Sequence, residues 1–304
     1  MFYFIINPNS GHKKAEEVWN KLQPILDKEN IKHEFAMTEY EGHATSIAEM
    51  AIKNGFREII CIGGDGTINE IVNGIMTSGV EEAKSATIGM LPTGTGNDWC
   101  RIHKIPNKTE EAFEIIRKGK TAIQDIGKIT FGNNAKNIKY FVNVAGVGFD
   151  GVVAKNVNID KKAGKEGIIL FAKNILTTLF KSEINHCKIT IDEEIIEGKM
   201  FSIAVGIGKY NGGGMMQLPA AVHDDGLLDV TVIGNISKFD VLRYVPLLFN
   251  GKFIRHPKVF TYRCKEIKVE SEHKLLVEAE GEVAGTLPIK IEIIPKALRV
   301  YSGL

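Results

Sequence analysis

Three short glycine-rich segments lie within the first hundred residues: Asn7-Pro8-Asn9-Ser10-Gly11, Gly63-Gly64-Asp65-Gly66-Thr67-Ile68-Asn69 and Pro92-Thr93-Gly94-Thr95-Gly96-Asn97-Asp98. Each follows a short apolar run. An apolar strand that ends in a glycine turn and passes into a helix is the unit of a parallel α/β sheet, because parallel neighbours need a crossover that a helix supplies. In open sheets of this kind ligands bind outside the carboxyl ends of the strands. Glycines let main-chain N–H groups approach phosphate oxygens, and the following helix adds the positive end of its dipole. One such turn is consistent with an ordinary tight connection. Three on one edge describe a polyphosphate site, although none matches the Walker A pattern GxxxxGK[ST].

The rest of the first ~125 residues keeps the same rhythm. Strands are predicted at Phe2–Ile6, Ile31–Phe35, Glu58–Ile62 and Thr87–Leu91, and helices at Lys13–Lys28, Ala44–Asn54, Ile68–Met76 and Lys108–Lys118. After Ile123 the texture changes to short strands joined by Gly- and Asn-rich turns. They are Ala122–Ile129, Tyr140–Ala145, Lys188–Ile191, Ser202–Ile207, Leu228–Ile233, Val259–Tyr262, Ile267–Val269, Leu275–Ala279 and Ile289–Ile293, with helices at Glu166–Phe180 and Lys238–Phe249. This pattern predicts a β-sandwich or barrel with helical additions. With 304 residues, two domains each have enough chain for a core. The expected division is 1–124, with 295–304 as a candidate completion, and 125–294.

Composition removes several classes of function. Lys and Arg number 38 against 37 Asp and Glu, for a net charge of +1. That excludes a disordered chain and argues against a general nucleic-acid binder, while leaving room for a local basic patch. The start MFYFII is too short for a signal peptide's apolar region, and Lys173 and Lys181 interrupt the best apolar stretch, Ile168–Phe180. Cys61, Cys100, Cys187 and Cys264 form no CxxC pair and no metal spacing. They read as reduced thiols, and the expected location is cytoplasmic, with membrane contact peripheral at the inner face of the cell membrane.

Asp65 is the unusual member of its loop. A carboxylate there repels phosphate unless a cation or a donor neutralises it, which favours a Mg²⁺-nucleotide. Thr67 and Asn69 are candidates for helix cap and polar contact. A second pattern, Gly146-Val147-Gly148-Phe149-Asp150-Gly151, fits the dinucleotide fingerprint GxGxxG, with Glu166 about 20 residues on. It lies where the βαβ rhythm has stopped. The plainer reading is a turn where backbone packs closely against the neighbouring domain.

The sequence resembles the diacylglycerol kinase catalytic-domain superfamily, which includes the sphingosine kinases and bacterial lipid kinases. The resemblance rests on NPNSG at Asn7–Gly11, GGDGTINE at Gly63–Glu70, PTGTGND at Pro92–Asp98, Asp125-Ile126-Gly127, DDGLLDV at Asp224–Val230 and HPKV at His256–Val259. It implies an NAD kinase- and diacylglycerol kinase-like α/β domain that holds ATP, and a β-sandwich domain for a lipid. Residue by residue, it implies nucleotide contacts at Asn7, Thr38, Gly63, Gly64, Asp65, Gly66, Thr67, Ile68, Asn69 and Thr95. Asp65, Asp98 and Asp125 match acidic positions that organise Mg²⁺ and its loops. Asp225 matches a metal position completed by the carbonyls of Val222 and Leu227, an oxygen set suited to Mg²⁺ or Ca²⁺. Two departures stand out. His12 stands where a lysine often follows the NPxSG turn, with Lys13 and Lys14 next, and the general base, Asp in the family's DGE motif, is Glu280 in Glu280-Gly281-Glu282. Glu280 and Asp65 are therefore the expected catalytic residues.

The reaction so implied transfers the γ-phosphate of ATP to a lipid hydroxyl, with diacylglycerol giving phosphatidate as the first candidate. A sphingoid base, phosphatidylglycerol or a prenol is an alternative acceptor. An NAD kinase-type soluble-substrate kinase, and a catalytically silent nucleotide- or lipid-binding regulator, are the other readings. Candidate lipid contacts are Ile168, Ile169, Leu170, Phe171, Ile175, Leu176, Leu179 and Phe180, together with Tyr244, Leu247, Leu248, Phe249 and the segment Gly212–Pro219. Charge is sorted along the chain: Arg243–Lys268 carries seven Lys or Arg and one acid, Glu266, while Val269–Glu282 carries five acids and one lysine, Lys274. A basic face of this kind suits anionic headgroups; a locally neutralised solvated face is the alternative.

Overall fold

The computed structural model describes residues 1–132, 137–162 and 168–304. The chain divides into two compact units, Met1–Ile126 with Ile294–Leu304, and Gly127–Ile293.

In the first unit the order is β1 (Phe2–Ile6), α1 (Lys14–Lys28), β2 (His33–Met37), α2 (His43–Lys53), β3 (Glu58–Gly63), α3 (Asp65–Thr77), β4 (Thr87–Pro92), α4 (Asp98–Ile102), α5 (Thr109–Lys118) and the start of β5 (Thr121–Phe131). The strands lie in the order β2-β1-β3-β4, all parallel. Phe4, Ile5 and Ile6 of β1 and Ile59, Ile60 and Ile62 of β3 are fully buried. Strands covered on both faces need no polar alternation, which is why these runs are continuously apolar. Each such side chain contributes roughly 1.5–3 kcal/mol of burial free energy. Helices α2 and α3 pack closely at Gly74, where a Cβ would stand 2.2 Å from the Thr45 carbonyl oxygen.

The second unit contains β6 (Ile138–Phe141), β7 (Val144–Gly148), α6 (Phe149–Lys162), α7 (Ile168–Lys181), β8 (Asn185–Ile191), β9 (Glu194–Met200), β10 (Ser202–Gly206), β11 (Leu228–Ile233), α8 (Lys238–Leu248), β12 (Val259–Cys264), β13 (Glu266–Glu270), β14 (Leu276–Ala279), β15 (Glu282–Thr286) and β16 (Ile289–Tyr301). One antiparallel sheet runs β12-β11-β10-β7-β14-β15; the other includes β16, β13, β8 and β9. Their inner faces meet in one core. Val147, Val205, Val230 and Val277 come from the first sheet, and Ile189, Ile267, Val269, Ile289 and Ile291 from the second. The alternation in β8, where Cys187, Ile189 and Ile191 are inward, is the sandwich signature. Strand β16 bridges the division: Ile289–Glu292 pairs with β13, and Arg299 and Val300 pair with β4.

Several elements differ from the sequence expectation. Helix α3 starts at Asp65 rather than Ile68, so Gly64 is its N-cap and Thr67 lies inside the first turn instead of capping it. The strand expected at Tyr140–Ala145 is two strands, β6 and β7. Strand β9, an edge strand rich in Glu and Lys, and the short β15 follow no simple apolar alternation. Helix α6 was hidden behind the GxGxxG pattern. Glu166, the acid of the dinucleotide reading and the expected start of a helix, lies outside the described residues, as do the side chains of Ile168, Ile169, Leu170 and Phe171.

Candidate active site

Strands β1, β3 and β4 are neighbours, so their carboxyl ends deliver the three glycine turns to one edge of the first unit. Local contacts hold the turns together. Asn7 donates through Nδ2 to Thr67 Oγ1 at 3.1 Å, and Thr93 Oγ1 donates to Ser10 Oγ at 2.9 Å. The Thr93 and Gly94 N–H groups both donate to the Gly63 carbonyl, at 2.8 and 3.3 Å. Two glycines are obligatory for this arrangement. A Cβ on Gly11, itself left-handed at φ +62, would stand 2.1 Å from the Thr93 carbonyl oxygen. A Cβ on Gly94 would stand 2.8 Å from Gly64 Cα.

The N-terminus of α3 opens into this edge. Its first N–H groups precede the first intrahelical bond, Ile68 N–H to the Gly64 carbonyl, and donors there favour an anion. A Cβ on Gly66 would meet nothing within 4 Å, so no other element packs against the helix at that position. Asn7, Gly63, Gly64, Gly66, Thr67, Ile68 and Asn69 therefore gather around one helix end. Thr38 is buried at the end of β2, with its N–H donated to the Ile6 carbonyl at 2.8 Å, and Thr95 is exposed on the third turn. His12, Lys13 and Lys14 are exposed, and the first two have positive φ.

Asp65 turns its carboxylate toward the third turn. Its Oδ1 accepts the Trp99 N–H at 3.0 Å. Burial pushes its carboxyl above the ordinary range, and the N–H groups of Trp99, Asp98 and Asn97 pull the other way. The repulsion anticipated from sequence is thus relieved by main-chain donors, and Asp65 ties the second turn to the third. Asp98 is buried and pairs with Arg101 at 3.2 Å. Asp125, also buried, accepts the Lys296 N–H at 2.6 Å and anchors the last strand. Glu70 adds a contact that the sequence reading missed: its two carboxylate oxygens accept the N–H groups of Gly42 and Ala44, at 3.1 and 3.2 Å, at the start of α2. A glutamate one turn into a helix carries no signal that it caps a different helix.

In the second unit, Glu280 and Gly281 form the two-residue turn between β14 and β15, at φ 55 and 78. Two consecutive left-handed residues make the type I′ turn of a tight hairpin, a geometry that Asp-Gly and Asn-Gly adopt more readily than Glu-Gly. The side chain compensates: Oε1 accepts the Val142 N–H at 2.9 Å and the Asn143 N–H at 2.6 Å. The Glu280 N–H in turn donates to the Val144 carbonyl at 3.1 Å. The carboxylate is therefore fixed by main chain in the bend between β6 and β7. Buried Asn143 donates through Nδ2 to the Tyr210 carbonyl at 2.6 Å.

The 222–227 loop presents a different picture. Asp225 Oδ1 accepts the Leu227 N–H at 3.1 Å, and Oδ2 pairs with Arg263, which also reaches Asp229 Oδ2 at 3.4 Å. Both oxygens are engaged, so a cation joined by the Val222 and Leu227 carbonyls would have to displace a guanidinium. This donor set does not fit a divalent ion as it stands, and no step is derived through it. Among the described residues, no group of three or more His, Cys, Asp or Glu side chains is placed to hold a metal.

The pattern Gly146–Gly151 runs from β7 into α6, but β7 is flanked by antiparallel β10 and β14. A dinucleotide crevice needs a parallel βαβ unit, so that reading fails. The close packing is real, yet its partners belong to the same unit: a Cβ on Gly151 would stand 2.5 Å from the Leu276 carbonyl oxygen.

Residues 1–129 match the diacylglycerol kinase catalytic domain, and residues 143–302 match the YegS C-terminal NAD kinase beta sandwich-like domain. The chain belongs to the diacylglycerol kinase catalytic-domain superfamily. The diacylglycerol kinase of Staphylococcus carnosus is 26% identical over 98% of this chain and 94% of its own. That of Staphylococcus haemolyticus is 28% identical over 93% of this chain and 82% of its own. A crystal structure from Bacillus anthracis str. Sterne superposes with a TM-score of 0.81 at 26% identity, over 99% of this chain and 95% of that one. This family member is an enzyme, a lipid kinase that transfers phosphoryl to an alcohol group, and its α/β-plus-sandwich architecture is that of its relatives. Membership implies ATP as the phosphoryl donor. No helix among the described residues is long and apolar enough to cross a membrane.

Proposed function

We propose that the protein is an ATP-dependent diacylglycerol kinase that produces phosphatidate, with Glu280 as general base. The observation that carries this reading is the Glu280 carboxylate held at a hairpin turn by two main-chain N–H groups, in a chain that has proteins named diacylglycerol kinase among the relatives it matches over nearly its whole length. Glu280 accepts the proton of the lipid hydroxyl as the hydroxyl oxygen bonds to the γ-phosphorus and the bond to the departing ADP breaks. Such transfers depend mainly on positioning and charge neutralisation. The N–H groups of Gly64, Asp65, Gly66 and Thr67 are assigned to the phosphates. Asn7 orients Thr67, and Thr38 and Thr95 are assigned to further nucleotide contacts. Mg²⁺, bound with ATP, supplies neutralisation of phosphate charge, and Asp65 keeps the loops beside it in register.

Replacing Gly94 by Ala tests the nucleotide assignment. The added Cβ forces the second and third turns apart, and a ~1 Å displacement at a phosphate cradle costs ~10–100-fold. ATP affinity, measured by titration calorimetry, is expected to fall by that factor while the melting temperature changes by only a few degrees. Unchanged affinity would remove these turns from the nucleotide site.

The acceptor side is read from exposed apolar and basic groups. Helix α8 packs Val241 against Leu179, Phe201 and Ile236 but buries no side chain completely, and Phe239 on it is 74% exposed. Phe249 and Phe180 are also exposed, as are Arg243, Lys252, Arg255 and Lys258. Two other cations of the basic segment are neutralised locally, Arg263 by Asp225 and Asp229 and Lys268 by Glu266. The remaining set supports reversible contact with an anionic lipid surface. The deciding experiment incubates the protein with labelled ATP and Mg²⁺ on vesicles containing diacylglycerol, a sphingoid base, phosphatidylglycerol or a prenol, with NAD as a soluble control. Labelled phosphatidate is expected, at a rate that rises with anionic lipid and falls with salt. Label in another lipid replaces the substrate, label in NAD replaces the class, and ATP binding without any product supports the regulator.

A further inference from the structure

The hairpin that carries Glu280 is braced from its outer face by a second glutamate. Glu278 lies two residues earlier on β14 and is only 1% exposed. Its neighbours Val277 and Ala279 point into the sandwich core. The β14–β15 register shifts here, with Ala284 of β15 the extra residue between the Val277–Gly285 and Glu278–Val283 pairs, so β14 keeps its ordinary alternation and puts Glu278 on the face opposite Val277 and Ala279. From that face the carboxylate reaches the turn itself: Oε2 accepts the Gly281 N–H at 2.8 Å. Gly281 is the second residue of the Glu280-Gly281 turn, so this bond pins the main chain that presents Glu280.

The seat of Glu278 comes from the GxGxxG segment. Glu278 pairs with Gly146 across β14 and β7, and a Cβ on Gly146 would stand 2.8 Å from Glu278 Oε1 and 2.7 Å from Asp150 Cβ. Only glycine leaves room there for two acidic side chains. Asp150 Oδ2 accepts from Ser202 Oγ, and its Oδ1 accepts from Gln217 Nε2 at 3.2 Å. Asn211 closes the circuit, donating to Gln217 Oε1 at 3.1 Å and to Glu278 Oε1 at 3.4 Å. The segment Asn211–Gln217 holds Gly212, Gly213 and Gly214, all left-handed, and its two ends are tied to the buried Glu278 and the half-buried Asp150.

We infer that Glu278 is a positioning residue for Glu280, seated by Gly146, Asp150, Asn211 and Gln217 and acting through the Gly281 N–H. This rests on the reading of Glu280 as general base. It also assigns the Gly146–Gly151 pattern a role unrelated to nucleotide binding: the motif builds the pocket for the brace.

The experiment compares Glu278→Ala, Glu278→Gln, Glu280→Gln and the double variant Glu278→Ala with Glu280→Gln. Lipid kinase turnover is measured alongside ATP binding and melting temperature. A brace lost at ~1 Å tolerance is expected to lower kcat ~10–100-fold in Glu278→Ala, with the stoichiometry and affinity of ATP unchanged. Gln still accepts the Gly281 N–H, so Glu278→Gln is expected to restore kcat to within about threefold. Residues that act as one unit are non-additive; Glu278→Ala is therefore expected to have no further effect once Glu280 is Gln. Should Ala melt early, Glu278→Met fills the same volume without an acceptor and takes its place in the comparison. Wild-type kcat in both Glu278→Ala and Glu278→Met, or additive losses in the double variant, overturns the inference while a dead Glu280→Gln leaves the base assignment standing. Full activity in Glu280→Gln overturns the base assignment itself.

Discussion

Glu280→Gln is expected to lower kcat by ~10²–10⁴-fold, the range that a positioned general base contributes, while the KM for ATP stays within about threefold. Gln keeps one oxygen to accept the Val142 and Asn143 N–H groups, so the turn and the side-chain position survive. What it loses is the ability to take a proton from a hydroxyl. A structural acid at this place would instead give a variant with normal turnover, because both hydrogen bonds can be kept. Glu280→Asp separates charge from reach. Asp is easier in a left-handed turn than Glu, but it retracts the carboxylate by one methylene from Val142 and Asn143. Activity in Glu280→Asp is expected to fall between wild type and Glu280→Gln. Steady-state turnover on diacylglycerol micelles for the three proteins checks both expectations. Equal activity in all three removes Glu280 from the chemistry and favours a role in binding alone.

The placement of Glu280 also shows where legibility from sequence ends. Three glycine turns after three apolar runs were enough to put Asn7, Gly63 and Gly94 on one sheet edge, because the parallel order of β1, β3 and β4 follows from strand-helix alternation. The continuous burial of Ile59, Ile60 and Ile62 and the alternation in β8 were likewise visible as run and as period. Asp65 was visible as an anomaly in a phosphate loop, but not its resolution, since the Trp99 N–H that it accepts lies 34 residues away. Glu278 was hidden for a similar reason. Read along the chain it is one of a row of exposed-looking acids, Glu278, Glu280 and Glu282. Its burial depends on a glycine across the sheet and on a helix, α6, that no clear apolar period announced. The GxGxxG match drew attention to the right residues with the wrong chemistry: its glycines make room for carboxyl groups, where the fingerprint would have them admit a pyrophosphate. Local patterns report the partners of a backbone within a few residues; a polar circuit assembled from β7, α6, β10, β14 and the 211–217 segment is a tertiary fact.

That circuit makes the stability of the protein depend on pH in a direction opposite to most carboxylates. Burial, with the Asp150 carboxyl as the next cause, pushes the Glu278 carboxyl up to about 8 from an ordinary 4.5. Glu282 also faces it with like charge, while the Gly281 N–H and Asn211 pull the other way. Asp150 is itself raised by burial, against the bonds from Ser202 and Gln217. Between pH 4.5 and 8 the folded chain keeps the Glu278 proton and the unfolded chain has lost it. The unfolded state therefore binds fewer protons, and each step upward in pH favours unfolding. The loss is absent below the unfolded value, accumulates through this window and is constant above it. A difference of about 3.5 units between 8 and 4.5 corresponds to roughly 5 kcal/mol as an upper bound, at about 1.4 kcal/mol per unit. Glu278→Gln removes the titration while retaining an acceptor for the Gly281 N–H. Its melting temperature is expected to match wild type near pH 5 and to exceed it progressively up to pH 8.5, by roughly 10 °C at 2–4 °C per kcal/mol with part of the bound realised. Asp150→Asn, which removes the neighbouring charge, is expected to lower the upper end of the window. Thermal melts of the three proteins at five pH values between 5 and 9 read this directly: a gap that does not grow with pH means that Glu278 is ionised in the folded protein throughout, and that the buried circuit is held by charge instead of by a shared reluctance to carry it.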